Sequence, residues 1–256
     1  MDFESLSETL ELLATAANAR AMRREVNALR GLRGVLLRDV ADITVAAWQE
    51  GSVDLRRDEI DLCALFSCAF EDGFAAISLL AGLVPDDPKG VLELGLEWLE
   101  ITDDHQTADA IGWLLLGPGH LATQTPLNTV LARVDEIGHD SARRAAVMMG
   151  MALLPVTVEN HGACVLRARL KVDEVKFVEA PQSDAIYTIA CHYLRDNAPT
   201  VRKALRRVLC AWALLDPTAA TVWYTHAMAN LGGLPKMISG DFNKALKKGH
   251  RKMAQG

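Results

Sequence analysis

The sequence predicts an all-α protein, and three observations carry that expectation. Alanine and leucine dominate while aromatics supply only 5% of residues, a bias that suits helices better than strands. Apolar residues recur at helical spacing along most of the chain. Gly, Pro, Asp and Ser interrupt it often enough to leave segments of about 10–16 residues, an ordinary helix length. The chain has 256 residues, 50% of them hydrophobic, which is ample for a sizeable core. We expect one helical domain over 1–256. A subdivision near 85–90 is the alternative, with N-terminal helices in 1–85 and a second set in 88–256.

The elements follow in order. Leu6, Leu10, Leu13, Ala17, Ala21, Val26 and Leu29 trace one amphipathic helix from Ser5 to Leu29. Its early Glu4, Glu8 and Glu11 and late Arg20, Arg23, Arg24 and Arg30 complement the helix dipole. Gly31 and Gly34 break the chain, and a second helix runs to about Trp48. RRDEIDLCALFSCAFEDG (56–73) reads as the next, with Gly73 after its end, and FAAISLLAGL (74–83) as a short buried one. Pro88 suits a first helical turn capped by Asp86 or Asp87. That helix reaches Ile101, and TDDHQTADAIGWLLLG (102–117) opens another.

GPGHLATQTP (117–126) reads as a loop because of its two prolines and two glycines. Residues 127–137 are helical up to Gly138, and the next helix stops at Pro155. Further helices are expected at 157–170, 183–195, 200–214, 218–231 and 240–252, the last capped by Asp241. KVDEVKFVEAP (171–181) alternates Val172, Val175, Phe177 and Val178 with charges, so it reads as an extended strap, a short strand or a covering loop.

Two stretches share a beginning. SARRAA starts at Ser141 and TVRKAL at Thr200; Asp140 or Asp196 precedes each, and a long apolar run ending in LLP or LLDP follows. A poorer copy, TADAIG, starts at Thr107 after Asp103 and Asp104. Over residues 100–232 this resembles the second helix of a HEAT repeat, where an Asp-containing turn leads into a Val-Arg or Val-Lys pair. Ser141 and Thr200 lie 59 residues apart, against about 40 in a regular array. The resemblance therefore implies an irregular HEAT-like array of antiparallel helical hairpins, an α-solenoid. A compact orthogonal helical domain is the alternative fold.

Composition narrows the function classes. The net charge of −6 argues against whole-surface attraction to nucleic acid. Charged residues make up 23%, ordinary for a globular chain. The five cysteines Cys63, Cys68, Cys164, Cys191 and Cys210 form no CxxC and mostly sit in apolar runs. They read as buried free thiols in a reducing compartment. MDFESLSETLELL is acidic and unlike a secretory leader, and no apolar run reaches the length of a membrane span. The expectation is a cytoplasmic protein with no membrane partner.

His139–Asp140 is the most enzyme-like pair. An HD-type hydrolase needs adjacent His and Asp on a metal that activates water, with His105 or His120 upstream and Asp184, Asp196 or Asp216 downstream. Against it, Gly138 suits a helix C-cap, and Asp140 or Ser141 an N-cap. The matching turn DNAPT (196–200) has no His. Glu136-x-x-His139 has di-iron spacing but no second copy, and it straddles Gly138. Asp103, Asp104 and Asp109 resemble a magnesium–diphosphate cluster but also suit a helix start. There is no GxSxG, GxGxxG or GxxxxGK[ST], and adjacent Cys191 and His192 point about 100° apart on a helix. No catalytic residue, cofactor or metal is assigned, and His139 and Asp140 remain residues to check.

Two basic sets are the candidate binding residues. Lys244, Lys247, Lys248 and Arg251 share one helical face, joined by Lys252. Arg202, Lys203, Arg206 and Arg207 form the second set, near Arg195. Trp212, Trp223 and Tyr224 sit in apolar surroundings and read as core rather than a stacking platform. The expected function is a non-enzymatic scaffold binding another protein through a solenoid face. Nucleic-acid association through the two basic sets is the alternative, and an HD-like hydrolase a distant third.

Overall fold

The computed structural model describes residues 2–23, 31–51, 53–155 and 178–255. The fold is all-α, with no strand among the described residues. No helix among them is long and apolar enough to cross a membrane.

The expected N-terminal helix is two helices. Asp2 caps α1 (Phe3–Leu12) at the Ser5 N–H, and Thr15 caps α2 (Ala16–Met22) at the Asn18 N–H. A hydroxyl at residue 15 satisfies a free N–H only where a helix begins, so the chain restarts there. The rest of the expected helix, at 24–30, lies outside the described residues.

After α3 (Leu37–Glu50), the run expected over 56–73 is cut. Helix α4 (Leu55–Ser67) ends before Cys68, and α5 (Phe70–Gly82) takes Phe70–Gly73 as its first turn. The Asp72 carboxylate accepts the Ala69 N–H at 3.1 Å, the bond of a helix start. Helix α5 is buried all round, including Glu71 and Asp72. Their charges are met in full. Glu71 accepts backbone N–H bonds from Arg33, Gly34 and Val35, and Asp72 accepts from Arg33 Nε and the Ser7 hydroxyl.

Asp87 caps α6 (Pro88–Glu100), as expected, and Asp104 caps α7 (His105–Ile111). The loop expected from residue 117 is instead helical. A π turn (Gly112–Leu116) carries α7 straight into α8 (Gly117–Thr123), which a left-handed Gln124 closes. Proline inside a regular helix clashes with the carbonyl four residues earlier; the wider π turn, where Gly117 N–H meets Gly112 O, accommodates Pro118. Gly112 permits close packing there, since a Cβ on it would stand 2.1 Å from the Ala145 carbonyl oxygen.

The remaining helices are α9 (Leu127–Ile137), α10 (Asp140–Met149), α11 (Ser183–Tyr193), α12 (Pro199–Leu215), α13 (Pro217–Asn230) and α14 (Lys236–Met253). The expected helix at 157–170 and residues 171–177 of the expected strap lie outside the described residues; 178–181 are bends and irregular chain. Helix α14 starts earlier than expected, after Pro235, so Asp241 lies inside it and is not its cap.

From α6 onward the helices lie in pairs, and the second members, α7 with its π turn, α10, α12 and α14, run the same way. Among the second members, Asp109 and Gly112 of α7 and its π turn meet Arg144 and Ala145 of α10. Further along, Gly117 meets Ala152 just beyond α10. Arg144 and Gly150 meet Thr200 and Val208 of α12; Arg206 and Ala213 meet Asp241 and Gly249 of α14. Among the first members, Arg133 of α9 pairs with Glu93 of α6, and Asp135 of α9 bonds His192 of α11. One core runs from Phe3 to Phe242.

Candidate functional site

The two basic sets meet on the second helices. Asp241 stands between Arg206, at 3.1 Å, and Lys244, at 4.0 Å, so the exposed stripe of α12 adjoins that of α14. Lys203, Lys247, Lys248 and Arg251 are exposed and form no ion pair among the described residues. Lys252 is exposed on the last turn. Arg207 lies 5.4 Å over the Trp113 ring and 3.9 Å from Asp109, which ties the surface back to α7. Burial first, then the Arg144 charge and last that of Lys203, hold the His105 imidazole below its ordinary value, against the pull of Asp109 and Asp104.

Two predicted residues stand apart. Arg202 turns back on its own turn, donating from Nε to the Asp196 carbonyl at 2.7 Å and from Nη2 to Asn197 Oδ1 at 2.8 Å. Arg195 is exposed, with its guanidinium against Gly232. Neither is part of the stripe formed by the other cations.

Sequence reasoning passed over a second pair of arginines. Arg144 grips Asp109 with two bonds, at 2.6 and 2.7 Å, and donates to the Thr200 carbonyl at 2.9 Å. Arg143 joins Asp140 of its own turn to Asp196 of the next. The Arg-Arg start of SARRAA thus ties α10 to helices on both sides. The doublet itself was visible; its partners were not.

His139 is committed to the backbone. It is the N-cap of α10, where Asp140 or Ser141 was expected: its Nδ1 accepts the Ala142 N–H at 3.1 Å. The other nitrogen, Nε2, then carries hydrogen and donates to the Leu99 carbonyl at 2.8 Å. The one ligating lone pair, on Nδ1, is taken by the cap, and protonated Nε2 offers none to a metal. Asp140 pairs with Arg143, and among the described residues no group of three or more His, Cys, Asp or Glu could hold a metal ion.

The described cysteines are not the buried set expected from the sequence. Cys63, Cys191 and Cys210 are partly exposed and Cys68 is exposed, while Cys164 lies outside the described residues. Burial, then the nearby Asp241 charge, pushes the Cys210 thiol up to about 11; burial raises Cys191 too. Both stay protonated near neutrality and are poor nucleophiles. Trp212 and Trp223 are fully buried.

No family model, curated protein or solved structure matches this chain.

Proposed function

We propose that the chain is a non-enzymatic helical scaffold that holds another protein against the exposed face of its second helices. The observation that carries this reading is the junction at Asp241, where cations of α12 and α14 gather on one side of a chain whose net charge is −6. Paired helices with co-directional second members support a HEAT-like array, and such arrays present extended surfaces to partners. The free thiols fit a cytoplasmic protein.

Nucleic-acid association is the second reading, favoured by the same cations. It is disfavoured by the aromatic ring beside them: Trp113 is only 5% exposed and lies under Arg207, so it offers no face for a base. The test is retention of partners from cell extract by the immobilised full chain, with and without nuclease. A protein retained after nuclease, and lost with the double variant Lys244→Glu, Lys248→Glu, supports the scaffold. Retention of nucleic acid alone overturns it.

A further inference from the structure

We propose that the occupant of the α12–α14 face is a short acidic protein segment, whose carboxylates replace Asp241 at Arg206 and Lys244. This rests on the scaffold reading and names the partner's chemistry.

The face already holds carboxylates of its own. Arg206 and Asp241 have side chains 42% and 50% exposed and touch through one bond at 3.1 Å. Lys244, 84% exposed, reaches Asp241 only at 4.0 Å. Contacts so exposed are weak, and an incoming anion can exchange for them. The contrast is Arg144–Asp109, doubly bonded and only 12% and 19% exposed. That pair stays, and it leaves Arg207 with a distant share of Asp109 at 3.9 Å. Arg207 is thus a second under-used cation, held in place over Trp113. An arginine plane kept in position and short of a close partner suits a carboxylate.

The dimensions point to a short occupant. Lys244 to Arg251 covers about 10 Å of helix, and Lys203 to Arg207 less. At about 3.4 Å per extended residue, roughly five or six residues of an acidic segment span both stripes, and a ten-residue one covers them with margin. A long polyanion would run off onto a chain that is acidic overall. Asp241 itself sits in the middle of the stripe and competes with any anion that docks. That gives the proposal a signature ordinary surface charge does not have: neutralising one carboxylate should tighten binding of an acidic peptide.

The probes are a labelled ten-residue oligoglutamate peptide and a ten-nucleotide oligo-dT, read by fluorescence anisotropy on the full chain at low salt. The peptide should bind more tightly than the oligonucleotide. Asp241→Asn should strengthen peptide binding about threefold, and Lys244→Glu with Lys248→Glu should weaken it about tenfold or more. Thermal unfolding of each variant checks that it folds. If the double variant does not, Asp241→Asn alone decides. No peptide binding, or an unchanged or weaker affinity in Asp241→Asn, overturns the proposal. Tighter binding of oligo-dT also overturns it and assigns the face to nucleic acid. A protein partner still captured after nuclease while the peptide fails sinks this inference and leaves the scaffold reading standing. Peptide binding without any captured protein overturns the scaffold reading and with it the proposed occupant.

Discussion

An imidazole has two nitrogens, and at residue 139 the backbone uses both. Nδ1 caps α10 and Nε2 reaches back to Leu99 at the end of α6. His139→Ala should therefore cost about 1–2 kcal/mol in urea unfolding, since it removes a cap and a bond between helices. His139→Asn keeps the cap and should recover part of the loss. If the alanine variant unfolds at the wild-type midpoint, the cap is not what holds the residue there. The turn was legible in the sequence through Gly138, which does take a left-handed φ of 80°. The cap itself was placed too late, because His is outside the usual set of cap residues and Asp140 next to it is inside. Glu71 and Asp72 were missed for a related reason. Gly73 resembles a helix end and hides the acids of a helix start, and nothing local reveals that residues 33–35 supply Glu71's N–H partners or that Arg33 and Ser7 meet Asp72.

At the scale of the element, most helices were legible because caps and apolar spacing agree. Asp87, Asp104 and Gly138 mark their boundaries as expected. The rod from α7 through α8 was not, because its glycines and Pro118 resemble turn residues. They are there for close packing: Gly112 meets Ala145, and Gly117 meets Ala152. Gly112→Ala should destabilise the protein by about 1–3 kcal/mol, because backbone must move to admit one methyl group. Unfolding of the variant at the wild-type denaturant midpoint would show that the rod shifts freely. The arginine doublet divides the same way. Its spacing was readable, whereas its carboxylate partners come from Asp109 and Asp196, far away in sequence on either side.

For the whole molecule, stability should depend on pH in two stages. His105 and His120 are both held below the ordinary 6.5, each first by burial, and His105 then by Arg144. Unfolded, each takes its proton near 6.5; folded, each resists. Their contribution is whole above 6.5 and is lost as pH falls through the lower folded values. Asp58 is held at about 2, against 3.8, first by its bond from Arg57 and also by the Asp54 N–H. Its share is present above 3.8 and is lost as pH approaches 2. Melting temperature against pH should fall in both windows. The pair His105→Gln, His120→Gln should flatten the upper one alone; an unaltered upper limb would assign it to other groups.

Arg207 over Trp113 also gives the molecule an optical reporter. Of the five tryptophans, Trp212 and Trp223 are sealed in the interior, Trp98 is buried and stacks on Phe66, and half-buried Trp48 packs against Gly82 at the end of α5. Trp113 alone lies beneath a guanidinium of the basic face. A ligand that draws that cation away changes the field on one indole, and its emission shifts while the deep ones keep their colour. Occupancy of the face can thus be followed without attaching a dye to the protein.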